Sequence, residues 1–238
     1  MPWIAGVDGC RAGWFPALVE FGRGTSREEH RIVTSFREVL DLEPKPTITA
    51  VDIPIGLLEE PSAGGRECDR EARRLLGTPR RSSVFPPPTR PALASATYEE
   101  AQGSGAGMSR QAFGILPKIR EVDELMTPEV QETVREIHPE LCFYGLSGHP
   151  MRYKKKSTEG KAERLSALQG SFSGVGRALG VFPRSQARSD DVLDAYAAAW
   201  TALRIAENAA RRIPRAHRSI PSASGWRCGT EPQCCCVY

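Results

Sequence analysis

The chain has 238 residues, 40% of them hydrophobic and 26% charged, with a formal net charge of +3. That length supports one α/β domain with a well-buried core, or at most two small ones, and the composition is ordinary for a soluble globular protein. The slight basic excess is compatible with a polyanionic partner without demanding one, and no apolar run approaches the ~18 residues of a membrane span. The opening residues lack a basic stretch followed by an apolar one, so the expectation is a cytoplasmic protein.

"WIAGVDG" (3–9) reads as a strand and "WFPALVEF" (14–21) as its partner across a Gly-containing turn. After the polar "GRGTSREE", "HRIVTSF" (30–36) reads as a third strand. "REVLDLE" (37–43) predicts a short helix, ended near Pro44 and Pro46. "TITAVDIPIGL" (47–57) is apolar up to Asp52 and broken by Pro54, a buried strand that ends in a carboxylate.

"GRECDREARRLLG" (65–77) is an amphipathic helix stopped by Gly77. "RRSSVFPPPTRPAL" (80–93) is Pro-rich, basic and hydroxyl-bearing, which predicts a long loop. Residues 95–105 suit a short helix, and 110–126 a helix kinked at or before Pro117. "VREIHPELCFYGL" (134–146) reads as a strand with Glu136, His138 and Glu140 alternating to one face. "KKKSTEGKAERLSAL" (154–168) runs from a basic loop into a helix. Residues 188–212 form the clearest helix, Ala/Leu-rich and capped by Ser189 or Asp190.

Residues 1–212 therefore form one domain, and 213–238 read as a poorly ordered tail containing Cys, Arg and Pro. Cys10, Cys68 and Cys142 look like reduced thiols, and the spacing of Cys228, Cys234, Cys235 and Cys236 does not make a zinc site. Three antiparallel strands followed by strands alternating with helices imply a mixed sheet with helices on its faces.

Asp8 ends the first strand, and Asp52 ends the first strand able to lie parallel beside it. Neighbouring parallel strands bring their C-terminal ends to one edge, the usual place for a site. Asp191 and Asp194 are three apart on the last long helix and face one side. Carboxylates brought together need a cation to stay ionised, and Mg²⁺ or Mn²⁺ suits oxygen ligands. Two such ions about 4 Å apart activate a water and stabilise the leaving oxygen in phosphodiester cleavage. Asp8 is then the acid that bridges both, with Asp52 on one side and Asp191 or Asp194 on the other.

"GVDGCRAGW", "VDIPIGL", "RRSSVFPPPTRPAL", "REIHPELCFYGL", "KSTEGKAERL" and "DDVLDAYAAAWTALR" together resemble domain of unknown function 429, a family of predicted RNase H-like nucleases. The resemblance spans roughly residues 3–209, and six motifs in this order are specific where any one is weak. It implies an RNase H-like fold, with metal-binding acids at Asp8, Asp52, Asp191 and Asp194. The "DxxDA" of the last helix is similar to that of Holliday-junction resolvases. The tail departs from the family pattern, which puts the last element in doubt and leaves the site untouched.

Each residue also has a plainer reading. Asp8-Gly9 is a standard turn pair, Asp190 suits a helix cap, and Asp191 gains from the helix dipole without any function. Asp52, between Val51 and Ile53, is harder to explain as structure, as is Asp194. Pro139 interrupts a strand ladder, which sets His138 and Glu140 at an irregularity suited to catalysis or substrate contact; a lone histidine is more often structural. Arg81, Ser82 and Ser83, with Arg11 and Lys161, suit phosphate binding, and "RYKKK" (152–156) is either a phosphate patch or a solvated run. The leading expectation is a nuclease acting on DNA or RNA through a two-metal site, with Glu140 joining the catalytic acids. A hydrolase of a small phosphorylated metabolite or nucleotide, and a non-catalytic binding protein, remain open.

Overall fold

The structure, a computed structural model, describes residues 1–22, 27–103, 108–214 and 236–238. β1 (Trp3–Cys10) is buried along nearly its whole length, and β2 (Gly13–Glu20) returns beside it, antiparallel, from Trp3↔Glu20 to Cys10↔Gly13. β3 (Glu28–His30) pairs antiparallel with β2. β4 (Pro46–Val51) lies parallel to β1 on its other side, and β5 (Val134–Glu136) parallel to β4. The order across the sheet is β3-β2-β1-β4-β5. This is the expected mixed sheet, three antiparallel strands followed by parallel ones.

The helices are α1 (Phe36–Leu40), α2 (Glu67–Arg80), α3 (Tyr98–Gly103), α4 (Arg110–Gly114), α5 (Leu116–Leu125), α6 (Pro128–Thr133), α7 (Pro139–Ser147), α8 (Thr158–Gln169), α9 (Val175–Ala178) and α10 (Ser189–Ala206). They cover both faces of the sheet because side chains along β1 alternate. Ile4 points into a core with Phe143 of α7, Leu168 of α8, Val175 of α9 and the alanines of α10. Trp3, Ala5 and Val7 point into a second core with Phe36 and Val39 of α1 and Ile119 and Val122 of α5.

α10 rests directly on β1. A Cβ added at Gly6 would lie 1.9 Å from the Ala199 nitrogen and 2.1 Å from the Ala195 oxygen. Ala195, Ala198, Ala199 and Ala202 are fully buried, so small side chains on the helix meet a missing one on the strand. Asp8 is two residues beyond Gly6 and therefore shares its face of the sheet.

Several elements differ from the sequence reading. β3 is shorter and earlier than 30–36, because Ser35 accepts a hydrogen bond from the Glu38 N–H and starts α1 at Phe36. Residues 134–146 are not one strand: β5 stops at Glu136, and α7 begins at Pro139 with His138 as its cap. Proline at the first helical position gives up no hydrogen bond there. The 80–93 loop contains two 3₁₀ turns, Arg81–Ser83 and Pro91–Ala94. α10 is capped by neither Ser189 nor Asp190; the Arg188 N–H donates to the Asp191 carboxylate at 2.8 Å. The break between α4 and α5 beside Pro117 matches the expected kink.

At the far end, β6 (Arg212–Ile213) pairs with β7 (Cys236–Val237), and Val237 also bridges to Ile137. Val237 and Tyr238 are buried, so these residues are packed and not a loose tail; residues 215–235, with Cys228, Cys234 and Cys235, lie outside the described residues. Cys10 and Cys142 are free and buried. Cys68 is disulfide-bonded, which corrects the reduced-thiol expectation; it sits on the inward face of α2, packed with Ile213 and Tyr238. Among the described residues no helix is long and apolar enough to cross a membrane.

Gly6→Ala forces α10 off β1 and is expected to lower unfolding free energy by about 3 kcal/mol or more, at the upper end for an overpacked core. Urea denaturation of the purified variant checks this; an unchanged midpoint would show that the helix seat is softer than its geometry implies.

Candidate active site

Asp8, Asp52 and Asp194 come together at the edge where β1 and β4 end. The Asp52 N–H donates to the Val7 carbonyl at 3.0 Å, continuing the parallel ladder one residue past β4 and setting Asp52 beside Asp8. Asp194, 2% exposed, descends from α10 one residue before the alanine that meets Gly6. Asp8 is also buried, with one carboxylate oxygen accepting from the Gly9 N–H at 2.8 Å.

Burial first, and then the charge of neighbouring acids, raises the proton affinity of all three. Asp8 is pushed well above the ordinary range, first by burial and then by the charges of Asp52 and Asp194. Asp52 is raised to about 7 by burial, then by Asp194, with smaller contributions from Glu136 and Glu140. Asp194 is raised by burial, against the pull of Lys155. Asp191, at the rim, is raised by burial too, and its bond from Arg188 opposes the shift.

The cation bonded to the cluster is Lys155, and Lys118 also lies within the field of Asp8 and Asp191. Lys155 Nζ donates to Asp194 Oδ2 at 2.8 Å, and its ammonium acts on Asp8, Asp52 and Asp191 as well. The Asp194 charge raises the Lys155 pKa, so the lysine stays protonated. Within the "KKK" run no periodicity distinguishes Lys155 from Lys154 or Lys156, and the sequence offered no signal for it.

Two buried ion pairs frame the cluster. Arg66 binds both oxygens of Glu136, one through Nη1 at 2.8 Å, and reaches Asp69 at 2.9 Å. Glu136 also accepts from the Ile55 N–H at 2.7 Å, which ties down the segment just after Asp52. Among the described residues, Cys68, Asp69 and Glu136 are the one group spaced closely enough to suggest a ready-made metal site. The disulfide at Cys68 and the guanidinium between the two acids make that group structural. Glu140 pairs with the buried Arg164, whose Nη1 donates to the Gly160 and Tyr153 carbonyls. Glu140 Oε1 is held by Arg164, Oε2 is buried with no hydrogen-bond partner among the described residues, and the charge of Glu140 reaches Asp52 and Asp194.

His138 has both ring nitrogens engaged. Nδ1 accepts from the Glu140 N–H, and Nε2 faces the Ser83 carbonyl, both at 3.2 Å. A carbonyl only accepts, so Nε2 carries the proton and the ring is neutral. Burial lowers its pKa, in keeping with that tautomer. The ring caps α7 and fastens the 81–83 turn to it, a positioning task.

Of the other expected residues, Arg11 is exposed in the β1–β2 turn, and Arg81 and Ser82 are exposed in the 3₁₀ turn. Among the described residues no hydrogen bond or ion pair joins these three to the aspartates. Lys161, on α8, lines a cleft with Lys156, Arg184, Arg188, Ser189 and Asp190. A second hollow of about 310 Å³, between residues 58–66 and 86–89, contains none of the four aspartates.

Because Asp52 titrates near 7 in the folded chain and near 3.8 when unfolded, the folded state binds the extra proton between those values. Stability is therefore highest below the unfolded pKa and falls as pH rises to about 7. With divalent ions chelated, the melting temperature is expected to drop between pH 4 and 7. Asp52→Asn should flatten that drop and melt higher than the parent at pH 8; parallel pH profiles for the two proteins would refute the assignment.

No curated protein matches the chain. A structure of Thermus thermophilus RuvC aligns at 15% identity with a TM-score of 0.36, over 87% of this chain and 97% of that one. T. thermophilus RuvC in complex with a Holliday junction substrate aligns at 16% identity with a TM-score of 0.37, over 88% and 98%. The profile described as "Protein of unknown function (DUF429)" matches residues 6–218, most of the domain including every aspartate of the cluster, and the chain belongs to that family.

Proposed function

We propose that the protein is a divalent-metal-dependent nuclease that hydrolyses phosphodiester bonds. The observation that carries this reading is the convergence of buried Asp8 and Asp194 and half-buried Asp52 from three elements, with Lys155 bonded to Asp194. The donors are hard carboxylate oxygens with no soft ligand among them, which fits Mg²⁺ or Mn²⁺. Asp8, Asp52 and Asp194 would hold the metal, with Asp191 at the rim. Metal bound there supplies an activated water and charge stabilisation at the leaving oxygen.

The chain's own groups do the rest. Asp8, on the central strand, is the acid most exposed to the charge of the others and the natural shared ligand. Lys155 balances Asp194 and offers an N–H donor to a phosphate oxygen. Glu140 acts through Arg164, and His138 through its cap on α7, so both are positioning residues. Arg11, Arg81, Ser82 and Ser83 serve as phosphate contacts on surrounding loops. No side-chain nucleophile is required.

Calorimetric titration of Mn²⁺ into the parent and Asp8→Asn, followed by incubation with single- and double-stranded DNA and RNA, tests the reading. The parent should bind the ion and cleave at least one of these substrates; the variant should lose at least about 100-fold of the cleavage rate, as expected for a direct ligand. Binding without cleavage of any nucleic acid would point to a small phosphoester. Absence of metal binding in the parent would overturn the site and leave a non-catalytic binding protein.

A further inference from the structure

Lys156, Lys161, Arg184 and Arg188 line one cleft of about 280 Å³, with Ser189 and Asp190 completing its wall. The four cations come from three stretches: Lys156 from the loop before α8, Lys161 from α8, and Arg184 and Arg188 from the loop into α10. Among the described residues none of the four makes an ion pair, whereas Arg66, Arg90, Lys155 and Arg164 each have a carboxylate. Four like charges around one hollow, faced by a single acid, repel each other. An anion seated in the hollow relieves that repulsion.

The cleft is joined to the aspartates twice along the chain. Lys156 follows Lys155, whose ammonium holds Asp194. Arg188 donates its backbone N–H to Asp191, the neighbour of Asp190. Two residues of the cleft lining are thus Arg188, bonded to Asp191, and Lys156, next in the chain to the lysine that holds Asp194.

We propose that this cleft binds consecutive phosphates of a polynucleotide strand that continues away from the phosphodiester held at the aspartates. Four cations exceed what one phosphate needs, and a strand supplies a charge with every nucleotide. The identity of the ligand as a strand rests on the nuclease reading; the anionic character of the ligand does not.

The test is equilibrium anisotropy with fluorescein-labelled 16-nucleotide single strands of DNA and RNA and a 16-base-pair duplex, in EDTA so that no cleavage occurs. Arg184→Glu and Lys161→Glu/Arg184→Glu are compared with the parent across a salt series, and melting curves check that both variants fold. Arg184 is exposed and makes no ion pair, so its single variant guards against a folding artefact. The double variant should bind at least about 10-fold more weakly, and its log–log salt slope should shrink by about 1.4 to 1.8, since each lost phosphate contact removes ~0.7 to 0.9. If the parent binds the strands in EDTA but cleaves none of them when Mn²⁺ is supplied, the cleft assignment stands while the catalytic reading falls. Unchanged affinity and slope in the folded double variant would overturn the proposal. Equal affinity for a labelled mononucleotide and the 16-mers would also overturn it, assigning the cleft to a small phosphorylated ligand.

Discussion

The whole arrangement hangs on the contact between α10 and β1 at Gly6. A helix usually stands off a sheet by the thickness of two side chains, and here the strand contributes none. The alanines of α10 close the remaining gap. That proximity brings Asp194 within electrostatic range of Asp8, and the one-residue extension of the β1–β4 ladder brings in Asp52. Three residues distant in sequence meet because backbone meets backbone, without any side-chain latch.

Buried charge in this protein falls into two kinds. Arg66 with Glu136 and Asp69, and Arg164 with Glu140, are arrays whose charges are largely satisfied inside the fold. They hold the segment after Asp52 and the start of α7. The aspartate cluster is unbalanced, with Lys155 against several acids. Leaving carboxylates short of partners costs folding free energy, and proteins keep such groups chiefly where function demands them. The arrays in which each acid faces a guanidinium are the scaffold; the cluster with an excess of acids is the site.

Much of this was readable in the residues themselves. The stretches of β1 and β4 announce themselves as apolar runs that end at a single carboxylate, α10 as an Ala-rich helix with Asp194 inside its apolar run, and an aspartate in such a run has few structural excuses. Their strand order followed from three antiparallel strands preceding the alternating ones. The region 134–146 was misread because Glu136, His138 and Glu140 mimic a two-residue period; Pro139 was the start of a helix, and the period was coincidence. Lys155 was hidden among identical neighbours, and the Arg66–Glu136 tie joins positions 70 residues apart, which no local pattern records. The packed Val237 and Tyr238 were missed because a few apolar residues after a polar stretch carry no periodicity.

Arg164 is 1% exposed and never meets solvent, yet it grips the carbonyls of Tyr153 and Gly160 on either side of the lysine run. A guanidinium in the interior thus sets how far Lys155 and Lys156 reach at the surface. A screen that scores variants by abundance or melting would file position 164 under folding and stop there. Its second duty, keeping the positive charges of one loop in register with the negative charges of another element, would go uncounted. Buried arginines of this kind are places where a map of stability and a map of activity overlap for reasons neither map reveals alone.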